Sequence, residues 1–339
     1  MVDRPGGRVR AAVVGTGLIG GSVLLRLQAV GIDVTGWDPD EATRREARRI
    51  GVPAPDRLVD AVADRDVVFL CGPLPTLPAT LVEVAAMTGE RCVLTDVGST
   101  KEEVAAFAAT QGLTRRFVPG HPMAGTDRAG LTAAGPDLLT GAAWVLCPAS
   151  GAATIAFRWL AGLLVDVFEA RVVPMSAAEH DSAAALASHV PHLLAGALAG
   201  AVQRAPLRDA ILALAAGSFS DGTRVAGTPA DRTANMLLGN RDRVLRELTE
   251  VTAFLDDLTA ALRAGDAPAL TARYDEARAS RAALRDRRFD AYDRQFPLGG
   301  DHTAEVSWLR GLGVAGGHLT GLHVGVETVS YAARRPAAD

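Results

Sequence analysis

The sequence predicts an α/β domain with a mostly parallel, doubly wound sheet, followed by an all-helical domain. Short apolar runs alternate with helical patterns up to about residue 174, as in repeated βαβ units. From residue 176 to about residue 296 the apolar spacing is helical, and the segment is rich in Ala and Leu. We therefore expect domains at residues 1–174 and 175–295, with a C-terminal appendage at residues 296–339.

Composition excludes several classes of function. The 339 residues are 48% hydrophobic, enough for a core in each domain, and the net charge is -4. The arginines are interspersed with acids, so we expect no nucleic-acid or membrane partner. There is no secretory signal core and no run of about 18 apolar residues, which predicts a soluble cytoplasmic protein. Cys71, Cys92 and Cys147 lie far apart in predicted strands, as expected of buried thiols in a reducing compartment.

A glycine-rich turn follows the first predicted strand. Its six residues are Gly15, Thr16, Gly17, Leu18, Ile19 and Gly20. A strand, the pattern GxGxxG and a helix together form the dinucleotide-binding fingerprint of a Rossmann-type domain. The first glycine permits the tight turn, the second lets the backbone approach a pyrophosphate, and the third packs the helix on the strand. The N-terminus of the helix then faces the phosphates with its free N–H groups.

The second predicted strand ends at Asp38. Its spacing from Gly15 is that of the acid that binds the adenosine ribose, so Asp38 favours NAD over NADP. Asp38 could instead cap the next helix, although Asp40 is better placed for that role. Arg44 and Arg45 are the residues that could reach a 2′-phosphate.

The turns after the third and fourth predicted strands lie at the sheet edge where ligands bind in such folds. Gly72 and Pro73 follow the third strand, and we expect them beside the cofactor. Ser99 follows the fourth strand. It could cap the next helix, and it could also present its hydroxyl to a nicotinamide. We expect Lys101 to be a solvated helix residue.

A histidine lies between a proline-bracketed turn and a glycine-rich loop at residues 119–130. This histidine, His121, is on the expected connection between the cofactor domain and the helices. Imidazole can accept a proton near neutral pH, so His121 is a candidate general base. The alternative is that His121 only caps a turn.

The first helix of the helical domain carries His180, Ser188, His189 and His192, with Pro191 among them. On an ideal helix, Ser188 and His192 share a face. His180 and His189 point in opposite directions, so at most two of the three histidines can readily serve one pocket. Pro191 complicates this reading, since a proline within a helix removes a hydrogen bond. Without an HExxH pattern or a nearby cysteine, we expect no metal site.

A break in the helical pattern at residues 217–224 ends at an arginine. Arg224 offers a planar, bidentate fork for a carboxylate, and Asp221 precedes it by three positions. The alternative is a surface pair of the two residues that closes a turn.

Five motifs occur in a fixed order along the chain. They are residues 15–22, residues 96–101, residues 120–125, His180–Asp181 with residues 188–192, and residues 221–226. In these motifs the sequence resembles the prephenate dehydrogenase family, which includes arogenate dehydrogenases, over residues 10–290. The resemblance implies NAD-dependent oxidative decarboxylation of prephenate to 4-hydroxyphenylpyruvate in tyrosine biosynthesis. It also implies a homodimer formed through the helical domain.

The same resemblance implies roles for individual residues. His121 would be the base, and Ser99 would orient it. Around the substrate the resemblance places Arg224, His192 and Ser188 at the carboxylates, Asp127 at the mouth of the pocket, and His180 beside them.

Residues 228–235 depart from the family, whose DPxxWxD-like stretch has a tryptophan that this chain lacks. Arogenate and 4-amino-4-deoxyprephenate therefore stay open as substrates. A β-hydroxyacid dehydrogenase would want a lysine base on the long helix, and residues 176–201 contain none. A non-enzymatic NAD sensor that binds a partner through its tail is the other alternative. The tail itself predicts a short helix followed by strands, faintly like part of an ACT domain.

Overall fold

The computed structural model describes residues 8–337. The strands of its first sheet are β1 Arg10–Val14, β2 Asp33–Trp37, β3 Val67–Leu70, β4 Val93–Asp96 and β5 Phe117–Val118. All pairs are parallel, in the order β2-β1-β3-β4-β5. Apolar clusters cover both faces, as parallel sheets require. The predicted parallel α/β domain is confirmed.

Helices alternate with these strands. They are α1 Leu18–Ala29, α2 Glu41–Arg49, α3 Leu58–Val62, α4 Leu77–Met87 and α5 Glu102–Thr110. Helix α1 begins directly after Gly17 and buries Leu24 and Leu27 in the core. Asp40 caps α2 as predicted, because its carboxylate accepts hydrogen bonds from two amides of the first turn.

A second, mixed sheet begins at β6. Its strands are β6 Gly120–Pro122, β7 Ala143–Leu146, β8 Arg171–Pro174, β9 Phe289–Pro297, β10 His318–Val324 and β11 Thr328–Pro336, in the order β6-β7-β8-β10-β11-β9. Helix α6, Ala153–Phe168, contacts strands of both sheets. The sequence predicted a single doubly wound sheet here and placed His121 on a loop. Both predictions are wrong, because β6 carries His121 and pairs antiparallel with β7.

The helical domain follows β8. Its helices are α7 Ala177–Ala184, α8 Val190–Gln203, α9 Arg208–Leu214, α10 Gly217–Thr223, α11 Ala230–Gly239, α12 Arg241–Ala264 and α13 Ala267–Arg285. A π-helical turn, Ala185–His189, joins α7 to α8. The joined 27-residue helix Ala177–Gln203 is long and apolar enough to cross a membrane, although only 22% of its most apolar part is buried within the chain. Large exposed apolar patches are typical of surfaces that contact another molecule.

The C-terminal residues complete the second sheet. Strand β10 pairs with β8 at Leu319 and Val172, and β11 lies between β10 and β9. Helix α14, Thr303–Val314, packs so closely on β8 that a Cβ at Gly313 would lie 1.9 Å from the carbonyl oxygen of Pro174. The predicted tail helix and strands are confirmed. The helical prediction up to residue 296 is wrong at its end, where β9 forms.

A buried cluster of charged and polar side chains joins the C-terminal elements α14 and β11 to helix α6. Arg158 on α6 pairs with Glu305 on α14, and the hydroxyl of Tyr331 on β11 donates to the same carboxylate. Burial raises the pKa of Tyr331, and the hydrogen bond to Glu305 raises it further, so the phenol stays protonated as a donor.

The only lysine of the sequence is completely buried at the carboxyl edge of the first sheet. The Nζ of Lys101 pairs with the carboxylate of Asp96, and both side chains are 0% exposed. Asp96 also accepts hydrogen bonds from the amides of Gly98, at 2.9 Å, and Gly120, at 3.1 Å. Through its hydrogen bond with Gly120, Asp96 therefore links the end of β4 to the start of β6. The expectation that Lys101 is solvated is wrong.

Replacing Lys101 should destabilise the fold severely. In Lys101→Met the Asp96 carboxylate is left buried without its cation, which costs ~3–5 kcal/mol of unfolding free energy. Urea denaturation followed by circular dichroism measures this loss. The matched control is Arg91→Met, which removes an exposed cation and should change stability by ~0.5 kcal/mol or less. Equal stabilities of the two variants would contradict the structural role given to the buried pair.

Candidate active site

The glycine turn after β1 leaves room for a phosphate group against the backbone. A Cβ at Gly15 would lie 2.7 Å from the carbonyl carbon of Cys71 and 2.8 Å from the amide nitrogen of Gly72. A Cβ at Gly20 would lie 1.9 Å from the carbonyl oxygen of Gly15. Both positions therefore require glycine. Gly17 has no heavy atom within 4 Å of its Cβ position, so the backbone is open where a pyrophosphate would approach.

The other predicted cofactor residues lie around the same turn. Leu18 is the first residue of α1, and Ile19 follows it with part of its side chain exposed. Pro73 follows Gly72 in the turn after β3, which continues into a 3-10 turn at Leu74–Thr76. The site therefore combines a helix N-terminus with free backbone at the carboxyl edge of a parallel sheet, the arrangement that binds dinucleotides.

Asp38 directly follows β2 and faces the glycine turn. Its Oδ2 accepts a hydrogen bond from the amide of Thr16 at 2.8 Å. Arg44 donates to the main-chain carbonyl of Asp38 at 2.7 Å, and Arg45 pairs with Glu41 on its own helix. Both arginines therefore have partners within the protein, although the pair of Arg45 with Glu41 is exposed.

His121 is the first member of a hydrogen-bonded chain that ends at a carboxylate. Its Nδ1 lies 2.9 Å from Nε2 of His180, and Nδ1 of His180 lies 2.7 Å from Oδ1 of Asp181. His180 and Asp181 are buried, with exposed fractions of 2% and 1%. Since both ring nitrogens of His180 are engaged, this residue acts on His121 and has no nitrogen left for a substrate carboxylate.

The carboxylate fixes the tautomers along this chain. Asp181 can only accept, so Nδ1 of His180 must donate to it, and in the neutral His180 ring Nε2 is then the acceptor. His121 therefore carries its proton on Nδ1 and donates it to His180. Its Nε2 is left as an unprotonated acceptor. This atom has no hydrogen-bond partner among residues 8–337 and is not among the fully buried atoms that lack one. That lone pair is what a general base offers to a substrate hydroxyl.

Helix α5 is capped by the same carboxylate, across the interface between domains. The amide of Lys101 donates to Oδ1 of Asp181 at 2.8 Å, and the amide of Glu102 donates to Oδ2 at 2.9 Å. Burial alone would raise the pKa of Asp181, but hydrogen bonds from His180 and from these two amides lower it below its usual value. The carboxylate stays ionised, as the orientation of the two histidines requires.

The charge state of His121 suits a base. Burial lowers the pKa of its imidazole well below the usual 6.5, and the nearby cations Lys101 and Arg232 lower it further. The ring is therefore neutral at physiological pH and can accept a proton.

On an ideal helix His180 and His189 would point in opposite directions, yet both belong to the same hydrogen-bond network. The π-helical turn between α7 and α8 explains this. A π turn holds more residues per turn than an α-helix, which changes the angle between His180 and His189. Asn240 joins them, because its Nδ2 donates to the carbonyl of Asp181 at 2.7 Å and lies 3.1 Å from Nδ1 of His189. Burial lowers the pKa of His189 to about 4, so this ring is neutral.

Three other predicted residues lie near the network without entering it. The hydroxyl of Ser99 has no hydrogen bond within the described chain, and α5 begins three residues later without using it as a cap. Ser99 was expected to orient His121, but His180 holds that position. Contact of Ser99 with the cofactor or the substrate stays a prediction. His192 lies 2.9 Å through Nδ1 from the carbonyl of Ser188, and both residues are half-buried. Their substrate contacts also stay predictions.

Arg224 begins the short 3-10 turn Arg224–Gly227, and its side chain is exposed. It forms no ion pair with Asp221 within the described chain, so the alternative of a closed surface pair does not hold here. Asp127 lies across from this turn, with its Cβ 3.3 Å from the Cβ position of Gly227. The Arg224 turn thus meets the loop that follows His121.

Sequence reasoning missed four residues that build this site. Asp96 and Lys101 position β6, Asp181 fixes the tautomers, and Asn240 joins Asp181 to His189. One signal was available, since Lys101 is the single lysine in a chain whose other cations are arginines. The contacts of Asp181 with α5 and those of Asn240 span 51 to 80 positions and leave no local pattern.

Comparisons with known proteins find matches along most of the chain. The model of the prephenate dehydrogenase nucleotide-binding domain matches residues 23–173, and that of the prephenate dehydrogenase dimerization domain matches residues 176–276. The chain is 31% identical over 280 residues to cyclohexadienyl dehydrogenase of Zymomonas mobilis, covering 81% of this chain and 95% of that protein. It is also 31% identical over 280 residues to prephenate dehydrogenase of Bacillus subtilis, covering 80% and 75%.

The fold is shared with a solved structure. Prephenate dehydrogenase from Aquifex aeolicus, in complex with hydroxyphenyl propionate and NAD+, superposes with a TM-score of 0.74 at 24% identity, covering 83% of this chain and all of that one. The two family models together span most of the sequence, and both curated relatives exceed 30% identity over most of their length. The chain therefore belongs to the prephenate dehydrogenase family of oxidoreductases.

Proposed function

We propose that the protein oxidises prephenate to 4-hydroxyphenylpyruvate with loss of carbon dioxide, using NAD, in tyrosine biosynthesis. The observation that carries the proposal is the free Nε2 of His121, held unprotonated by the chain through His180 to Asp181. It stands at the carboxyl edge of the nucleotide-binding sheet, where a substrate would meet the cofactor.

The residues serve the reaction as follows. The C4 hydroxyl of prephenate donates its proton to Nε2 of His121 as the C4–H bond breaks. The glycine turn and Asp38 would hold NAD, which would supply the hydride acceptor for C4. The bond from C1 to the ring carboxylate then breaks and carbon dioxide leaves. The electron pair of that bond passes through the ring to the C4 oxygen, and the aromatic phenolate takes the proton back from His121. The protein has to align base and substrate, a positioning effect that contributes ~7–11 kcal/mol.

NAD is proposed in preference to NADP because of the second strand. Asp38 places a carboxylate beside the glycine turn, where it can bind a ribose hydroxyl and repel a 2′-phosphate. Arg44 and Arg45, the nearest candidates to bind such a phosphate, are engaged in other contacts. The Aquifex aeolicus relative, which shares the fold, binds NAD+ in its complex.

Prephenate is proposed over arogenate because the Bacillus subtilis relative, 31% identical over 80% of this chain, is a prephenate dehydrogenase. An amino side chain would be favoured by a free carboxylate, and Asp127 and Asp221 are both exposed, so the charges alone leave arogenate open. Arogenate and 4-amino-4-deoxyprephenate are the alternatives. Steady-state kinetics with each substrate and NAD decides among them, and a higher kcat/KM for arogenate would overturn the choice. No NAD reduction with any of them would favour a sensor.

We also propose a homodimer that works in the cytoplasm. The segment matched by the dimerization model carries exposed leucines on α8 and α12, among them Leu194, Leu198, Leu245 and Leu255. A second copy of the chain would cover this apolar face in water, as obligate interfaces do. Cys71 and Cys147 are free thiols, as in a reducing compartment.

Cofactor choice should depend on Asp38. In Asp38→Ser the carboxylate that repels a 2′-phosphate is lost, so the preference for NAD over NADP should shrink. Kinetics with both nucleotides measure the ratio of kcat/KM. Asp40→Ser is the matched control, since serine also caps a helix and the ratio should stay unchanged. Comparable turnover of NAD and NADP by the unmutated enzyme would contradict the assignment.

Loss of the base should reduce turnover far more than affinity. In His121→Asn, kcat should fall by roughly 10²–10⁴-fold while KM changes much less. His323→Asn, at an exposed position in β10, is the matched control and should leave both constants unchanged. The pH profile gives a second readout. Because burial lowers the pKa of His121, kcat/KM should stay level as pH falls through 6.5 and decline only at lower pH. Near-normal kcat in His121→Asn would remove His121 from the reaction.

Arg224 should contribute to substrate affinity. Arg224→Ala removes a fork for a substrate carboxylate, so KM for prephenate should rise by a factor equivalent to ~2–5 kcal/mol. Asp221→Ala is the control. Since Asp221 has no ion pair with Arg224, its loss should leave KM unchanged. An unchanged KM in Arg224→Ala would assign this arginine to the solvated surface.

A further inference from the structure

A second arginine of the helical domain faces the loop that follows His121. Arg232 lies in the first turn of α11, and its Nη2 is 3.9 Å from the Cβ position of Gly125. Gly125 is four residues beyond His121. Arg232 also lies within residues 228–235, the stretch where the chain departs from the family's tryptophan-containing pattern.

The guanidinium of Arg232 has no partner in the described part of the chain. Neighbouring cations are matched: Arg243 pairs with Glu102, and Arg241 pairs with Asp242. Arg232 forms no ion pair and no hydrogen bond within residues 8–337, and its side chain reaches solvent. It also lies at the positive end of a helix, where a cation is disfavoured. An unpaired arginine in an unfavourable position fits a residue that binds an anionic ligand.

The position of Arg232 relative to the base suits a carboxylate. Burial is the main cause of the lowered pKa of His121, but Arg232 is among the cations that contribute, so its charge reaches the reacting centre. In prephenate, both carboxylates branch from C1, across the ring from the C4 hydroxyl that His121 would meet. A cation that faces the loop beyond His121 can therefore reach the C1 end of the substrate.

We propose that Arg232 binds the side-chain carboxylate of the substrate. This inference rests on the proposed function, because it assumes a cyclohexadienyl substrate with its hydroxyl at His121. The ring carboxylate loses its negative charge as carbon dioxide forms, so a cation bound to it stabilises the ground state more than the transition state. The side-chain carboxylate keeps its charge throughout. An unpaired guanidinium beside it adds affinity without opposing decarboxylation.

The test measures binding and does not require turnover. The probes are 3-(4-hydroxyphenyl)propionate and its primary amide, which share the phenol and differ only in the carboxylate. Both are titrated by calorimetry into the full-length protein in the presence of saturating NAD. The unmutated protein should bind the acid roughly tenfold or more tightly than the amide. In Arg232→Ala the ratio should fall to about one, whereas Arg232→Lys should keep part of it, since lysine retains charge without the fork.

Arg278→Ala is the matched control, because this exposed arginine on α13 also has no partner in the described chain. It should leave the ratio of acid to amide affinity unchanged. An unchanged ratio in Arg232→Ala would overturn the proposal. So would an equal weakening of acid and amide, since Arg232 would then not distinguish the carboxylate.

Steady-state kinetics separate this inference from the proposed function. A raised KM for prephenate in Arg232→Ala, with an unchanged ratio of probe affinities, would assign Arg232 to the ring carboxylate and contradict the proposal. If the unmutated protein oxidises no cyclohexadienyl substrate, the proposed function fails. The ratio of probe affinities still decides whether Arg232 binds a carboxylate on a phenol side chain.

Discussion

The structure depends on one carboxylate, that of Asp181, which belongs to the helical domain and acts on the nucleotide-binding domain. It caps helix α5 through two amides and accepts the hydrogen bond that fixes the ring of His180. The first contact joins the two domains, and the second sets the tautomer of His121. The geometry of the base is therefore linked to the packing between domains. A buried carboxylate can keep its charge here because each of its oxygens accepts hydrogen bonds.

A second buried carboxylate positions the other side of the site. Asp96 binds Lys101 and the amide of Gly120, so strand β6 starts at a defined distance from β4. The buried pairs Asp96–Lys101 and Arg158–Glu305 are matched, whereas Arg224 and Arg232 have no ion pair within residues 8–337. Matched buried charges define one structure, and unmatched exposed arginines offer binding energy to an anionic ligand. This contrast is the physical basis for expecting a dicarboxylate substrate.

Much of the fold could be predicted from local patterns. Rules that act within a few residues account for the glycine turn, for Asp38 directly after β2 and for Asp40 at the cap of α2. The second sheet could not be predicted in this way, because β8 finds its neighbour β10 far along the chain. The site likewise combines residues that local patterns predict with contacts between distant parts of the chain. His121 was evident from its motif, but the π-helical turn that brings His189 into the network and the partners of Lys101 depend on tertiary packing.

The central claim is that His121 is a neutral base with its proton on Nδ1 and its lone pair on Nε2. Nitrogen NMR of the protein labelled with 15N-histidine reads this directly, because protonated and unprotonated ring nitrogens have well-separated shifts. His121→Asn identifies the signal by its disappearance. The account predicts a neutral ring with a protonated Nδ1 at neutral pH, which persists as pH falls through 6.5. A protonated Nε2 at neutral pH, as a neutral tautomer or as imidazolium, would contradict it.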